Sequence, residues 1–249
     1  MDAILSCYDE SMFTIIALLT FVASFIGTLA GFGVSTIMLP VVILFFPLPQ
    51  SLLLVALVHF FNDIWEMFLF KGKPHWRILL IFGTTGVIAS IIGANLAVTS
   101  SPLLLSRILG GILIVFVVVL GLKKNIKFPK SNVSLAFGGT LSGFLAGVFG
   151  IGGFIRSLFL SHINLTKKEY IFTIGAVSFL VEIARILTYV SSGAHLPAGF
   201  SYNVLLLIPV SLFAAEIAKL VVNRIPQKAF QQVISLFLIF IGLKFLLFP

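Results

Sequence analysis

Two glycine-broken stretches decide the fold: GTLAGFGVSTIMLP at 27–40 and GFLAGVFGIGGFIR at 143–156, which begin 116 residues apart. Ahead of the first break Ala23, Gly27 and Gly31 recur every four residues, and ahead of the second Gly139, Gly143 and Gly147 do the same. Small residues at that spacing form a smooth stripe along which helix backbones approach closely in lipid. Packing alone accounts for Gly27 and Gly143. It does not account for the runs Gly31-Phe-Gly and Gly150-Ile-Gly-Gly, since each glycine weakens a continuous helix by about 1 kcal/mol. Both stretches therefore read as hairpins.

Composition identifies the solvent. A mean hydropathy of +1.19, with 59% hydrophobic and 10% charged residues, excludes an ordinary soluble domain. Apolar runs long enough for a hydrocarbon layer of about 30 Å lie at 51–70, 78–98, 103–122, 170–190, 203–222 and 229–248. The first hairpin has a near-spanning arm, 12–30, and a short one, 34–46, whereas 133–149 and 153–163 in the second both read as short. A single cysteine, Cys7, permits no internal disulfide. The start, MDAILSCYDESMF, lacks the basic region of a cleavable signal peptide, so the first apolar segment is expected to stay.

Charge placement orients the chain. Lys71, Lys73 and Arg77 fill one loop, Lys123, Lys124, Lys127 and Lys130 the central one, Lys167 and Lys168 follow the second hairpin, and Arg224 and Lys228 precede the last apolar run. The loops at 47–50, 99–102 and 191–202 hold no Lys or Arg, and the N-terminal tail carries Asp2, Asp9 and Glu10. The net charge of +8 thus reads as orientation by the positive-inside rule, not as nucleic-acid binding. With the basic loops in the cytoplasm and both termini outside, the two halves come out oppositely oriented. The expectation is an all-α polytopic protein of the inner (plasma) membrane with two inverted-topology repeats, 1–127 and 128–249. Each is a glycine-broken hairpin plus three spanning helices. Ala94-Asn-Leu-Ala…Pro102 against Ala218-Lys-Leu-Val…Pro226, and Gly121-Leu-Lys against Gly242-Leu-Lys, repeat in the same order. Corresponding breaks in two halves point to a transporter site near the midplane.

Charges within spanning segments cost about 2.5–3.5 kcal/mol each near the bilayer centre and mark functional sites by default. His59, Asn62, Asp63 and Glu66 follow i, i+3, i+4, i+7 spacing and share a helix face, as do Ser178, Glu182, Arg185 and Tyr189. Arg156 adds a second intramembrane guanidinium just after the second break. Helix starts after Gly33 and Gly153 would aim free N–H groups at an anion, and a guanidinium fork suits an oxyanion. The candidate substrate-binding set is Gly31, Gly33, Ser35, Thr36, Asn62, Gly150, Gly152, Gly153, Arg156, Ser178 and Arg185. His59, Asp63, Glu66 and Glu182 are the candidate coupling groups, with protons or sodium as the coupling ion. In the alternative reading Arg185 pairs with Glu182 and Arg156 with Glu66 or Asp63, and the charges only hold helices together. His59 and Asp63 lack a third ligand in sequence, so no metal or cofactor is expected. Glu216 and Lys219 read as a simple ion pair. An intramembrane enzyme is a further class, but neither Gly-x-Ser-x-Gly nor His-Glu-x-x-His occurs. A cargo-less assembly subunit is another, and nothing in the sequence fixes an oligomeric state.

The pattern AGFGVSTIMLP and AGVFGIGGFIRS, each followed by a polar loop and a spanning helix, resembles the sulfite exporter (TauE/SafE) family over essentially the whole chain. Gly31, Gly33 and Pro40 match the Gly-rich motif that opens the first half, Gly152, Gly153 and Arg156 its second-half form, and Glu182 and Arg185 a later acidic-x-x-Arg. Ser35 stands where the family often has Gly, Ser157 where many members have Pro, and Glu182 where Asp is common. The resemblance implies membrane transport of a small sulfur-containing anion such as sulfite, thiosulfate or an organosulfonate.

Overall fold

The structure, a computed structural model, describes residues 2–31, 33–121, 128–160, 163–197, 200–221 and 227–248. These residues form helices α1 (Asp2–Ala30), α2 (Ser35–Val42), α3 (Leu48–Phe70) and α4 (Trp76–Ile78). From α4 the chain continues through a π-helical turn, Leu79–Gly83, into α5 (Thr84–Thr99). Then come α6 (Pro102–Gly121), α7 (Asn132–Phe149), α8 (Gly153–Leu160), α9 (Lys167–Ser191), α10 (Phe200–Val221) and α11 (Gln227–Leu247). No strand occurs among the described residues. Seven segments of them are long and apolar enough to cross a bilayer. One of the seven is α7, 18 residues long, which corrects the expectation that both arms of the second hairpin are short. Its rise of about 1.5 Å per residue nearly covers the hydrocarbon layer, and its glycines serve packing. Large apolar side chains face outward, as at Phe68, Leu80, Val115, Val133, Leu220 and Phe240, while His59, Asp63, Glu182, Arg156 and Arg185 lie inside. Only a lipid surround suits that distribution.

The breaks are helix caps. Gly31 and Gly150 both adopt φ 69°, and each donates its N–H to the carbonyl four residues back, Gly27 and Ala146, at 2.8 Å. A left-handed residue with a Cβ would be strained by about 1–2 kcal/mol, so glycine ends both helices. After the first cap Gly33 turns the chain again at φ 82°. A Cβ on Gly27 would lie 2.9 Å from the Val34 nitrogen, so that glycine lets α1 and α2 fold tightly together.

The small-residue stripe of α7 packs on α5 and the π-helical turn in the most extensive contact of the fold. A Cβ on Gly143 would collide with the Gly86 carbonyl, one on Gly139 with the Phe82 carbonyl, and one on Gly147 with the Ser90 carbonyl. The two backbones therefore touch, as small-residue interfaces in lipid allow. Across the bundle α1 packs on α10, α3 on α9 and α6 on α11, while α10 also meets α3 and α5 also meets α9. Basic segments meet at one end: Arg77 Nε donates to Asn132 Oδ1 (2.9 Å), Lys130 Nζ to Asn164 Oδ1 (3.2 Å), and Gly72 sits against the Lys168 carbonyl. At the other end Phe200 packs on Phe13 and on Phe46, with ring centroids 6.5 and 5.3 Å apart. Lys123, Lys124 and Lys127, and Arg224 in the loop before α11, fall outside the described residues. Glu216 and Lys219 form no ion pair among the described residues, because both side chains reach outward instead.

Candidate functional site

The packing of α3 on α9 brings the two polar faces together at the hairpin tips. His59 is the hub. Its Nδ1 lies 2.7 Å from Ser35 Oγ on α2 and 3.0 Å from Glu182 Oε1 on α9. On the opposite edge Nε2 lies 3.5 Å from Asp63 Oδ1 and 3.4 Å from Ser178 Oγ. One imidazole thus touches α2, α3 and α9. Gly33 makes room for it, since a Cβ there would lie 2.6 Å from the ring.

The carboxylates differ in their partners. Glu182 is held through both oxygens by Arg185 Nη1. Arg185 Nε donates to Tyr189 Oη at 3.3 Å, and Tyr189 in turn donates to the Gly147 carbonyl. Glu66 receives neutral donors on Oε1: Thr28 Oγ1 at 2.9 Å and Asn62 Nδ2 at 3.0 Å. Asp63 Oδ2 is buried without a hydrogen-bond partner, as is Asn62 Oδ1. Buried polar atoms are normally satisfied, so open valences clustered here single out this region.

The two guanidiniums are fully enclosed, Arg156 2% and Arg185 0% exposed. Arg156 Nη1 donates to the Ile174 carbonyl at 3.2 Å, while its Nε has no partner. The pairing of Arg156 with Glu66 or Asp63 weighed from sequence does not form: among the described residues its nitrogens make no ion pair within 4.0 Å. The α8 backbone directs this side chain to the end of a carbonyl on α9, and its field reaches Asp63, Glu182 and Glu66 from there. Arg185 does pair with Glu182, yet its Nη2 is free and lies beside the Gly150 tip, 3.1 Å from where a Cβ there would be.

Further contacts hold the tips. Ser157 Oγ donates to the Gly31 carbonyl at 2.5 Å, tying α8 to the opposite hairpin. Ser142 Oγ donates to the Gly152 carbonyl at 2.8 Å, and a Cβ on Gly152 would lie 2.7 Å from Ala146 Cβ, so Gly152 seats the turn on α7. Gly153 is buried at the start of α8. Thr36 lines an apolar groove of about 410 Å³ walled mainly by α6 and α8. Thr28 was not foreseen. It continues a buried hydroxyl stripe, Thr20, Ser24 and Thr28, whose i, i+4, i+8 spacing was visible beside the glycine repeat. No group of three His, Cys, Asp or Glu able to hold a metal occurs among the described residues.

A multi-pass helical protein with charged groups buried between two broken helices has the build of a membrane transporter. The family model "Sulfite exporter TauE/SafE" matches residues 16–245, nearly the whole chain, and the chain belongs to that family. No curated protein and no solved structure matches it.

Proposed function

We propose that the chain transports a small sulfur-containing oxyanion or organosulfonate across the inner membrane through a midplane site between two inverted repeats, 1–127 and 128–249. The observation that carries this reading is the pair of buried guanidiniums with unpartnered nitrogens, Arg156 Nε and Arg185 Nη2, in a part of the bundle where charge is costly. A guanidinium N–H left open in such a place is a preformed donor for an oxyanion. Membership of a sulfite exporter family supports the class of cargo. The inverted arrangement is supported by packing that comes in matched pairs, α1 on α10 with α7 on α5, and α3 on α10 with α9 on α5. It is also supported by the first hairpin starting and ending near Phe200, while the second lies between segments joined through Lys130 and Asn164. On this reading the tips carry Gly31, Gly33, Ser35 and Gly150 to the cargo, with Asn62 and Ser178 beside them, Gly152 and Gly153 shaping the second turn, and Thr36 in the first turn of α2. His59, Asp63, Glu66 and Glu182 form the coupling cluster.

The test is saturable flux of radiolabelled sulfite, thiosulfate and sulfonates in proteoliposomes. Arg156→Ala is expected to lower flux at least a hundredfold, and Arg156→Lys, which keeps charge but not the fork, to restore part of it. Unchanged flux in Arg156→Ala contradicts the assigned site.

A further inference from the structure

Counting charge in the enclosed cluster constrains what else must bind. Two guanidiniums, Arg156 and Arg185, face three carboxyl groups, Asp63, Glu66 and Glu182, and one imidazole, His59, all at most 5% exposed. With the carboxyls ionised and His59 doubly protonated the cluster is neutral. The geometry suits that state, because His59 then donates from Nδ1 toward Glu182 and from Nε2 toward Asp63. An anion added to this enclosure leaves an uncompensated buried charge, which low-dielectric surroundings penalise heavily. The seats for compensating protons differ. Glu182 is clamped by Arg185 through both oxygens and stays ionised. Asp63 has a free buried Oδ2 and faces His59 on its own helix, Ser178 and Glu182 on α9, and the field of Arg156 from α8. Glu66 meets only neutral donors at hydrogen-bond distance, Thr28 on α1 and Asn62 on α3, with Arg156 acting at longer range. Tyr189 is engaged with Arg185 and the Gly147 carbonyl and offers no seat.

We propose that the site takes up one proton for each negative charge of its cargo, on Asp63 and Glu66, so that proton and anion move together without net charge. This rests on the anion-site reading above. An inward pH gradient then favours uptake, and export proceeds when the internal cargo concentration outweighs that gradient. Sodium has no part.

The experiment uses the full-length purified protein in weakly buffered detergent solution near neutral pH. A pH dye reports protons while radiolabel reports bound anion. Methanesulfonate, a monoanion at this pH, is expected to bring one proton per molecule bound, and thiosulfate, a dianion, two. Glu66→Gln and Asp63→Asn are each expected to lower the uptake with thiosulfate from two to one. In sodium-free proteoliposomes clamped with valinomycin, flux should follow the pH gradient and ignore the membrane potential. Anion binding without proton uptake, or flux that follows potential or requires sodium, overturns this proposal and leaves the anion site standing. No binding of either anion overturns the anion site, and this proposal with it.

Discussion

Gly33 and Gly193 share nearly the same backbone, φ 82° and 85°, and differ in what surrounds them. A Cβ at Gly33 would meet the His59 ring at 2.6 Å, while one at Gly193 would meet nothing within 4 Å. Gly33→Ala therefore combines left-handed strain with displacement of the imidazole from Glu182 and Ser35. Gly193→Ala costs only the strain, about 1 kcal/mol. Flux is expected to be lost in the first and retained in the second, with both proteins recovered folded. Glu182→Gln tests the charge pair in the same cluster. It strips Arg185 of its ionic partner in a buried place, a loss of about 3–5 kcal/mol, and thermal unfolding should show a fall in Tm well beyond that of Glu66→Gln. At this scale the sequence was largely legible. The spacing of His59, Asn62, Asp63 and Glu66 put them on one face, and that of Glu182 and Arg185 made them a pair. The rotamer of Arg156 was not legible, because a carbonyl on another helix, Ile174, competes with the carboxylates for its N–H groups.

Among the elements, α7 departs most from its sequence reading. It reads as a short arm and runs 18 residues; its small-residue stripe was legible as a packing surface in lipid, but not that the facing backbone would be α5. Gly143→Leu is expected to drive α5 and α7 apart, with folded yield in membranes falling at least tenfold. Gly111→Ala, where a Cβ meets nothing within 4 Å, should leave yield unchanged. The π-helical turn Leu79–Gly83 had no advance signal. It sits where Gly139 packs against the Phe82 carbonyl, a constraint from a helix distant in sequence that no local pattern carries. The two tips, by contrast, were marked plainly, because a left-handed cap selects glycine at Gly31 and Gly150.

For the whole molecule, loop charge was the most informative signal. Lys71, Lys73, Arg77, Lys130 and Lys168 belong to segments that the fold gathers at one end through Arg77, Lys130 and Gly72. The inverted-repeat proposal makes that end cytoplasmic. In a Cys7→Ser background, single cysteines at Lys130 and Ser192 should then label from opposite sides of sealed vesicles. Labelling of both from one side contradicts the topology. The halves are alike in their caps and unlike in their charges, since Arg156 follows the second tip and no base follows the first. The central claim is that Arg156 and Arg185 offer their free donors to an oxyanion. Its most direct test is equilibrium binding of radiolabelled thiosulfate to purified protein. The account predicts saturable binding, displaced by sulfite and sulfonates, and lost in Arg156→Gln while that variant still unfolds cooperatively as a folded protein. Equal affinity in wild type and Arg156→Gln would contradict it.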